Sequence, residues 1–166
     1  MEKSGKKWKF VEKLFYGEYF CTLDEKSRVM LPATFRNING EGDEVDSSNG
    51  EWILTRGFEK CLLLYPKGNW EEVINNFKKN LLYKNKEDRL FMRFFIFPAK
   101  PVELDKQGRF TIPKPFLNYA GIEKDLVLLG AIQKIEIWSL ENWEGLFKYS
   151  EDQIESLTKK IKDFDF

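Results

Sequence analysis

Histidine is absent from this 166-residue chain. That removes the commonest general base, the commonest metal ligand and every His-dependent triad. What remains offers no grouping of nucleophile, base and orienter, so a non-enzyme is expected, with no cofactor and no metal site. Cysteine is scarce: Cys21 and Cys61 are the only two, without zinc-type spacing, and read as a reduced, cytosolic pair. No apolar run approaches the roughly 18 residues of a membrane span, and the Lys-rich start is too charged for a secretory h-region, so no membrane partner is expected. Net charge is lacking too, 27 Lys and Arg standing against 27 Asp and Glu.

The zero sum conceals a pattern. Residues 1–14 carry five Lys and two Glu, and residues 67–109 carry ten bases against six acids. The acids gather in Glu41, Asp43, Glu44, Asp46 and Glu51, and again in the last 26 residues, which are net −3. Local potential, and not the total, decides whether a face meets phosphate. Aromatic residues are abundant, with 15 Phe, 6 Tyr and 5 Trp. In a chain this small they can fill an interior and also cover an interface between copies.

The organising stretch is Val102-Glu103-Leu104-Asp105-Lys106-Gln107-Gly108-Arg109-Phe110-Thr111-Ile112-Pro113. Apolar residues alternate with polar ones on either side of a turn, the period-two pattern of a half-buried ribbon. Asp105 can accept the turn's N–H groups, Gly108 supplies a positive φ, and Pro113 ends the second strand. The same grammar appears 81 residues earlier in Leu23-Asp24-Glu25-Lys26-Ser27-Arg28-Val29-Met30-Leu31-Pro32. Further on the echo continues at an offset of 73: Leu54 meets Val127, Gly57 meets Gly130, Tyr65 meets Trp138 and Trp70 meets Trp143. The chain is a tandem duplication with one insertion of eight residues in the first copy, between Arg36 and Trp52.

The elements follow in order. Residues 1–14 read as a flexible basic leader and residues 15–83 as the first repeat with its helix, in which Trp70, Val73, Ile74, Phe77 and Leu81 form one apolar face. Residues 84–101 make a helical connector whose Phe91, Phe94 and Phe95 pack between the halves. The second repeat spans residues 102–150, with a short helix from Lys114 to Ala120, Gly121 as its left-handed cap and Ser139 as an N-cap. Residues 151–166 form a helical tail with an apolar stripe of Ile154, Leu157, Ile161 and Phe164, which must be buried against the body or a neighbouring subunit.

Asp, three residues, then Arg occurs twice, as Asp24 with Arg28 and Asp105 with Arg109. Each pair can brace its own hairpin, although an exposed ion pair contributes only about 0–1 kcal/mol. Each Asp can equally hold the turn while aiming its Arg outward, where the planar fork suits phosphate and guanine edges and a two-stranded ribbon fits the major groove. Lys26 and Lys106 would add charge in the same turns. The residues alone leave both readings open, and the two are compatible.

Leu-Asp-x-Lys-x-Arg-x-x-x-Pro at residues 23–32 and the Val102-Glu103-Leu104-Asp105-Lys106-Gln107-Gly108-Arg109 stretch, which share Leu-Asp-x-x-x-Arg, resemble the MraZ family, together with Leu54-Thr55-Arg56-Gly57, Cys61-Leu62-Leu63-Leu64-Tyr65-Pro66 and Asn118-Tyr119-Ala120-Gly121. The resemblance runs from about residue 17 to 143. It implies an α+β fold of tandem AbrB-like swapped-hairpin repeats, forming a small split β-barrel with flanking helices. It also implies a bacterial, cytoplasmic, nucleoid-associated repressor. Such a protein binds short direct repeats in double-stranded DNA upstream of the division and cell-wall gene cluster, as a ring-like homo-oligomer. The DNA-binding residues carried over are Asp24, Lys26, Arg28, Asp105, Lys106 and Arg109. The alternative is an oligomeric protein-binding scaffold or antitoxin-like module of the same fold. Ser27 stands where the family usually has Gly, which predicts a strained or differently typed first turn and unequal roles for the two copies.

Overall fold

The computed structural model describes residues 14–39, 50–80, 83–148 and 150–161, so residues 1–13 of the leader and 40–49 of the insertion lie outside the described residues. The first copy contains β1 (Glu18–Thr22), β2 (Arg28–Met30), α1 (Ala33–Asn39), β3 (Trp52–Arg56), β4 (Leu62–Pro66) and α2 (Lys67–Asn80). The connector is α3 (Lys86–Phe91) running into one π turn, Met92–Ile96. The second copy contains β5 (Lys100–Val102), β6 (Arg109–Thr111), α4 (Lys114–Ala120), β7 (Asp125–Gly130), β8 (Ile135–Ser139) and α5 (Leu140–Leu146), and α6 (Glu151–Lys160) follows. The duplication is therefore structural as well as sequential: β2 and α1 start 81 residues before β6 and α4, and β3 and β4 start 73 before β7 and β8. The class is α+β, as expected.

The copies are interleaved. A six-stranded antiparallel sheet runs β1-β7-β8-β4-β3-β5, and β2 and β6 form a separate two-stranded ribbon. The strands on either side of the Asp105 turn thus do not pair with each other as a self-contained ribbon: β5 joins β3 and β6 joins β2. Reciprocally, β1 of the first copy pairs with β7 of the second. A local two-fold relation passes through two facing pairs of equivalent residues, Val29 opposite Phe110 and Leu63 opposite Glu136. Among the described residues the ladders make an open sheet, with β1 and β5 at its edges and no ladder joining them.

Exchange is favoured because a core shared by both copies buries a larger fraction of the chain's surface than a smaller unit folding alone would. Period-two alternation sends Leu62, Leu64, Leu126, Leu128, Ile135 and Ile137 to one face of the sheet. There they meet Val29 and Phe110 from the ribbon and Phe35 and Phe116 from α1 and α4 in a single core drawn from both copies. The intervening Cys61, Leu63, Tyr65, Val127 and Trp138 face the other way and are covered by Phe95, Trp143 and Trp70 from the helical layer. Each large side chain fully buried in these layers contributes about 1.5–3 kcal/mol. Phe95 does pack between the halves, beside residues of both copies.

Both predicted caps are present: Gly121 sits at φ +66 and closes α4, and the Ser139 side chain accepts the Asn142 N–H. The tail departs from expectation. A capping box on Ser150 and Gln153 starts α6, yet Ile154, Leu157 and Ile161 are exposed, so no described part of the subunit covers these three positions of the stripe. Phe164 lies outside the described residues.

Candidate nucleic-acid interface

The two Asp turns are built alike. In the first, Asp24 Oδ1 accepts the backbone N–H groups of Lys26 and Arg28, both at 2.9 Å, and Arg28 Nε donates to Asp24 Oδ2 at 2.7 Å. In the second, Asp105 Oδ1 accepts from Gln107 and Arg109 at 2.9 Å, and Arg109 Nε donates to Asp105 Oδ2 at 2.9 Å. Ser27 and Gly108 occupy the same left-handed position, at φ +59 and +83. The first turn is therefore strained, as expected of a non-glycine residue, but it is not of a different type. Asp24 supplies enough hydrogen bonds to hold Ser27 there at a cost of about 1–2 kcal/mol.

The strands beyond the turns put the arginines on one surface. Arg28 faces Thr111 and Met30 faces Arg109 across the ribbon, while Val29 and Phe110 point inward. Strand alternation then places Arg28, Met30, Arg109 and Thr111 on the outer face together. The turns are joined as well, since Arg109 Nη1 lies 3.8 Å from Asp24 Oδ2. The sequence suggested two separate ribbon tips. The structure has one platform, with one strand and one turn from each copy, and Lys26 and Lys106 exposed at the turns. All six residues singled out from the sequence lie in these two turns. Met30 and Thr111 escaped that reading because they become neighbours of the arginines only after strand exchange.

Each arginine is held by its Nε, Arg109 Nη1 also faces Asp24, and the side chains of Arg28 and Arg109 remain 28% and 27% exposed at the outer face. The backbone N–H of Arg28, and then its guanidinium, hold the Asp24 carboxyl below the usual carboxylate range, and Arg109 does the same for Asp105. Both acids therefore stay ionised and keep their arginines oriented. Burial, reinforced by Glu136 and Glu59, pushes the Cys61 thiol up to about 12, well away from a reactive thiolate. No group of three His, Cys, Asp or Glu among the described residues is placed to hold a metal ion.

Two successive matches to the family described as "MraZ protein, putative antitoxin-like" cover residues 14–94 and 95–165, one for each copy. The chain belongs to the MraZ family. Among its MraZ relatives is a protein named transcriptional regulator MraZ from Natranaerobius thermophilus, 37% identical over 152 residues, which are 92% of this chain and 99% of the relative. Proteins of the same name from Moorella thermoacetica and Clostridium beijerinckii are 36% and 40% identical over 152 residues, covering 92% and 90% of this chain and 99% and 98% of theirs. The MraZ matches divide the chain within the connector, close to the point where the π turn hands over to β5. No helix among the described residues is long and apolar enough to cross a membrane.

Proposed function

We propose that this MraZ protein is a DNA-binding transcriptional regulator, a repressor and not an enzyme, that reads double-stranded DNA with the outer face of the β2–β6 ribbon. Arg28 and Arg109 are the reading residues. Asp24 and Asp105 orient them, and Lys26 and Lys106 add attraction for phosphate. The observation that carries the reading is the pair of guanidinium groups on one exposed ribbon face, each locked by an aspartate. An unheld arginine loses about 2 kcal/mol of rotamer freedom on binding, so one already fixed binds at lower cost. The names of the relatives agree with a regulator, and a two-stranded ribbon fits the major groove.

In this reading the targets are short direct repeats upstream of the division and cell-wall gene cluster, and the protein is cytoplasmic and nucleoid-associated. A single platform neutralises only three or four phosphates, roughly, and such binding weakens steeply with salt. A ring-like homo-oligomer would present several platforms at once and gain roughly 100- to 10,000-fold in avidity. Exposed Tyr16, Phe20 and Ile132 near the β1 edge, and the bare stripe of α6, are suitable material for such contacts.

The test is a gel-shift series with a fragment upstream of the protein's own gene, comparing the parent with the double variant Arg28→Ala, Arg109→Ala. Each good bidentate contact is worth about 1–3 kcal/mol, so the variant should bind at least about 30-fold more weakly. Its oligomer size and melting temperature should stay close to the parent's. Equal shifting by parent and variant would show that the platform is not the reading surface. A parent that assembles but retains no DNA at any salt concentration would favour the protein-binding scaffold.

A further inference from the structure

We propose that Arg36 is a phosphate-binding residue of this platform, seated at the second turn only, and that it gives the protomer its polarity along DNA. The proposal rests on the ribbon face being the DNA-binding surface. Arg36 projects from α1 across the boundary between the copies and lies over Gly108. A Cβ placed on Gly108 would overlap Arg36 Nη1 and stand 2.7 Å from Cζ and 3.0 Å from Cδ. The guanidinium therefore covers the glycine of the Asp105 turn, next in the chain to Arg109, and Gly108 is buried.

Unlike Arg28 and Arg109, Arg36 makes no ion pair among the described residues, and its Nε is buried without a hydrogen-bond acceptor. The two nearby aspartates are engaged already, Asp24 with Arg28 and Arg109, and Asp105 with Arg109. A cation with no acidic partner among the described residues, beside a DNA-facing ribbon, is placed for an anion brought by the partner. At the margin of the platform, that anion is a backbone phosphate and not a base edge.

The duplication supplies the contrast. The residue 81 positions after Arg36 is Leu117, which is buried, so the first turn has no equivalent cation. Asp24, Glu25, Lys26 and Arg28 sum to zero, whereas Asp105, Lys106, Arg109 and Arg36 sum to +2. A two-fold platform taken alone matches an inverted site. An extra phosphate contact at one turn breaks that symmetry and fits the platform to a site read in a single direction.

The test uses the full-length protein, a mixed-sequence duplex and a duplex from upstream of its own gene, with affinity measured by fluorescence anisotropy across about 50–200 mM KCl. Arg36→Met should flatten the plot of log affinity against log salt by about 0.9 for each protomer engaged, and Arg36→Lys should keep the parental slope. A parental slope in Arg36→Met overturns the proposal, even if melting is affected. Ethylation interference on the unmodified protein gives a second test that needs no variant: each repeat should show an extra blocked phosphate on one side. A symmetric pattern overturns the proposal. If the Arg28→Ala, Arg109→Ala protein binds like the parent, the platform reading itself has failed.

Discussion

Ser27 and Gly108 share one backbone conformation but have different neighbours, and exchanging their side chains separates strain from packing. Ser27→Gly relieves left-handed strain at the expense of a more flexible unfolded chain, so a gain of up to about 1 kcal/mol is expected, or a few degrees in melting temperature. Gly108→Ser adds that same strain and also drives a side chain into Arg36, so a loss of about 1–3 kcal/mol is expected. Thermal melts of the two proteins should move in opposite directions; shifts of the same sign would refute the account of the turns. The aspartates define a pH window. Their folded-state pKa values are depressed, so their contribution is complete above the unfolded value of about 3.9 and is lost as pH falls through the lower folded one. Asp24→Asn and Asp105→Asn should therefore melt below the parent at pH 7, and the gap should begin to narrow only below about pH 4, closing as pH falls through the depressed folded values. A gap that stays constant as pH falls would mean the carboxylates are not what orders the turns.

At the level of elements, the π turn shows how a local irregularity is compensated. Phe97 N–H donates to Met92 C=O at 2.8 Å, and the Phe95 carbonyl, in the last turn where helices leave carbonyls unpaired, accepts the hydroxyl of Thr55, a wholly buried residue, at 2.5 Å. Thr55→Val should cost about 1–3 kcal/mol because it strands that carbonyl in the core. Phe95→Ala should cost about 3–5 kcal/mol, since its ring packs against Trp70, Phe77 and Phe91. Denaturant melts of both would check the order. The elements themselves were legible because their signals are local: alternation in β2 and β6, the cap at Gly121, the aromatic spacing in 91–95. Their partners were not. Val102 and Phe110 carry the same alternation whether β5 pairs with β6 or with β3, and only the shared core decides. Arg36 was illegible for the same reason: nothing near it in sequence shows that it crosses to the other copy and rests on Gly108.

For the whole molecule, strand exchange means that each half keeps only one two-stranded ladder, β3–β4 or β7–β8, and neither contains the whole sheet. Cutting within residues 97–99 would separate β1 from β7, β3 from β5, β4 from β8 and β2 from β6. Each half would expose unpaired edges and half of a core. As one chain, the halves meet at an effective concentration in the mM range, whereas separate halves must also meet an association cost of about 4–15 kcal/mol. Neither half alone should give a folded monomer. Self-pairing of the second half is disfavoured by the residues on the local two-fold. A dimer of second halves would set Glu136 against Glu136 and Phe110 against Phe110, where the native pairs are Leu63 with Glu136 and Val29 with Phe110. Like charges directly opposite destabilise a ladder, and a second phenylalanine overfills the space that Val29 occupies in the native pair. Mixing the halves should therefore yield a one-to-one complex whose melting temperature rises with protein concentration. Size-exclusion chromatography with circular dichroism would test this, and a cooperatively melting monomer from either half would refute the interdependence of the copies.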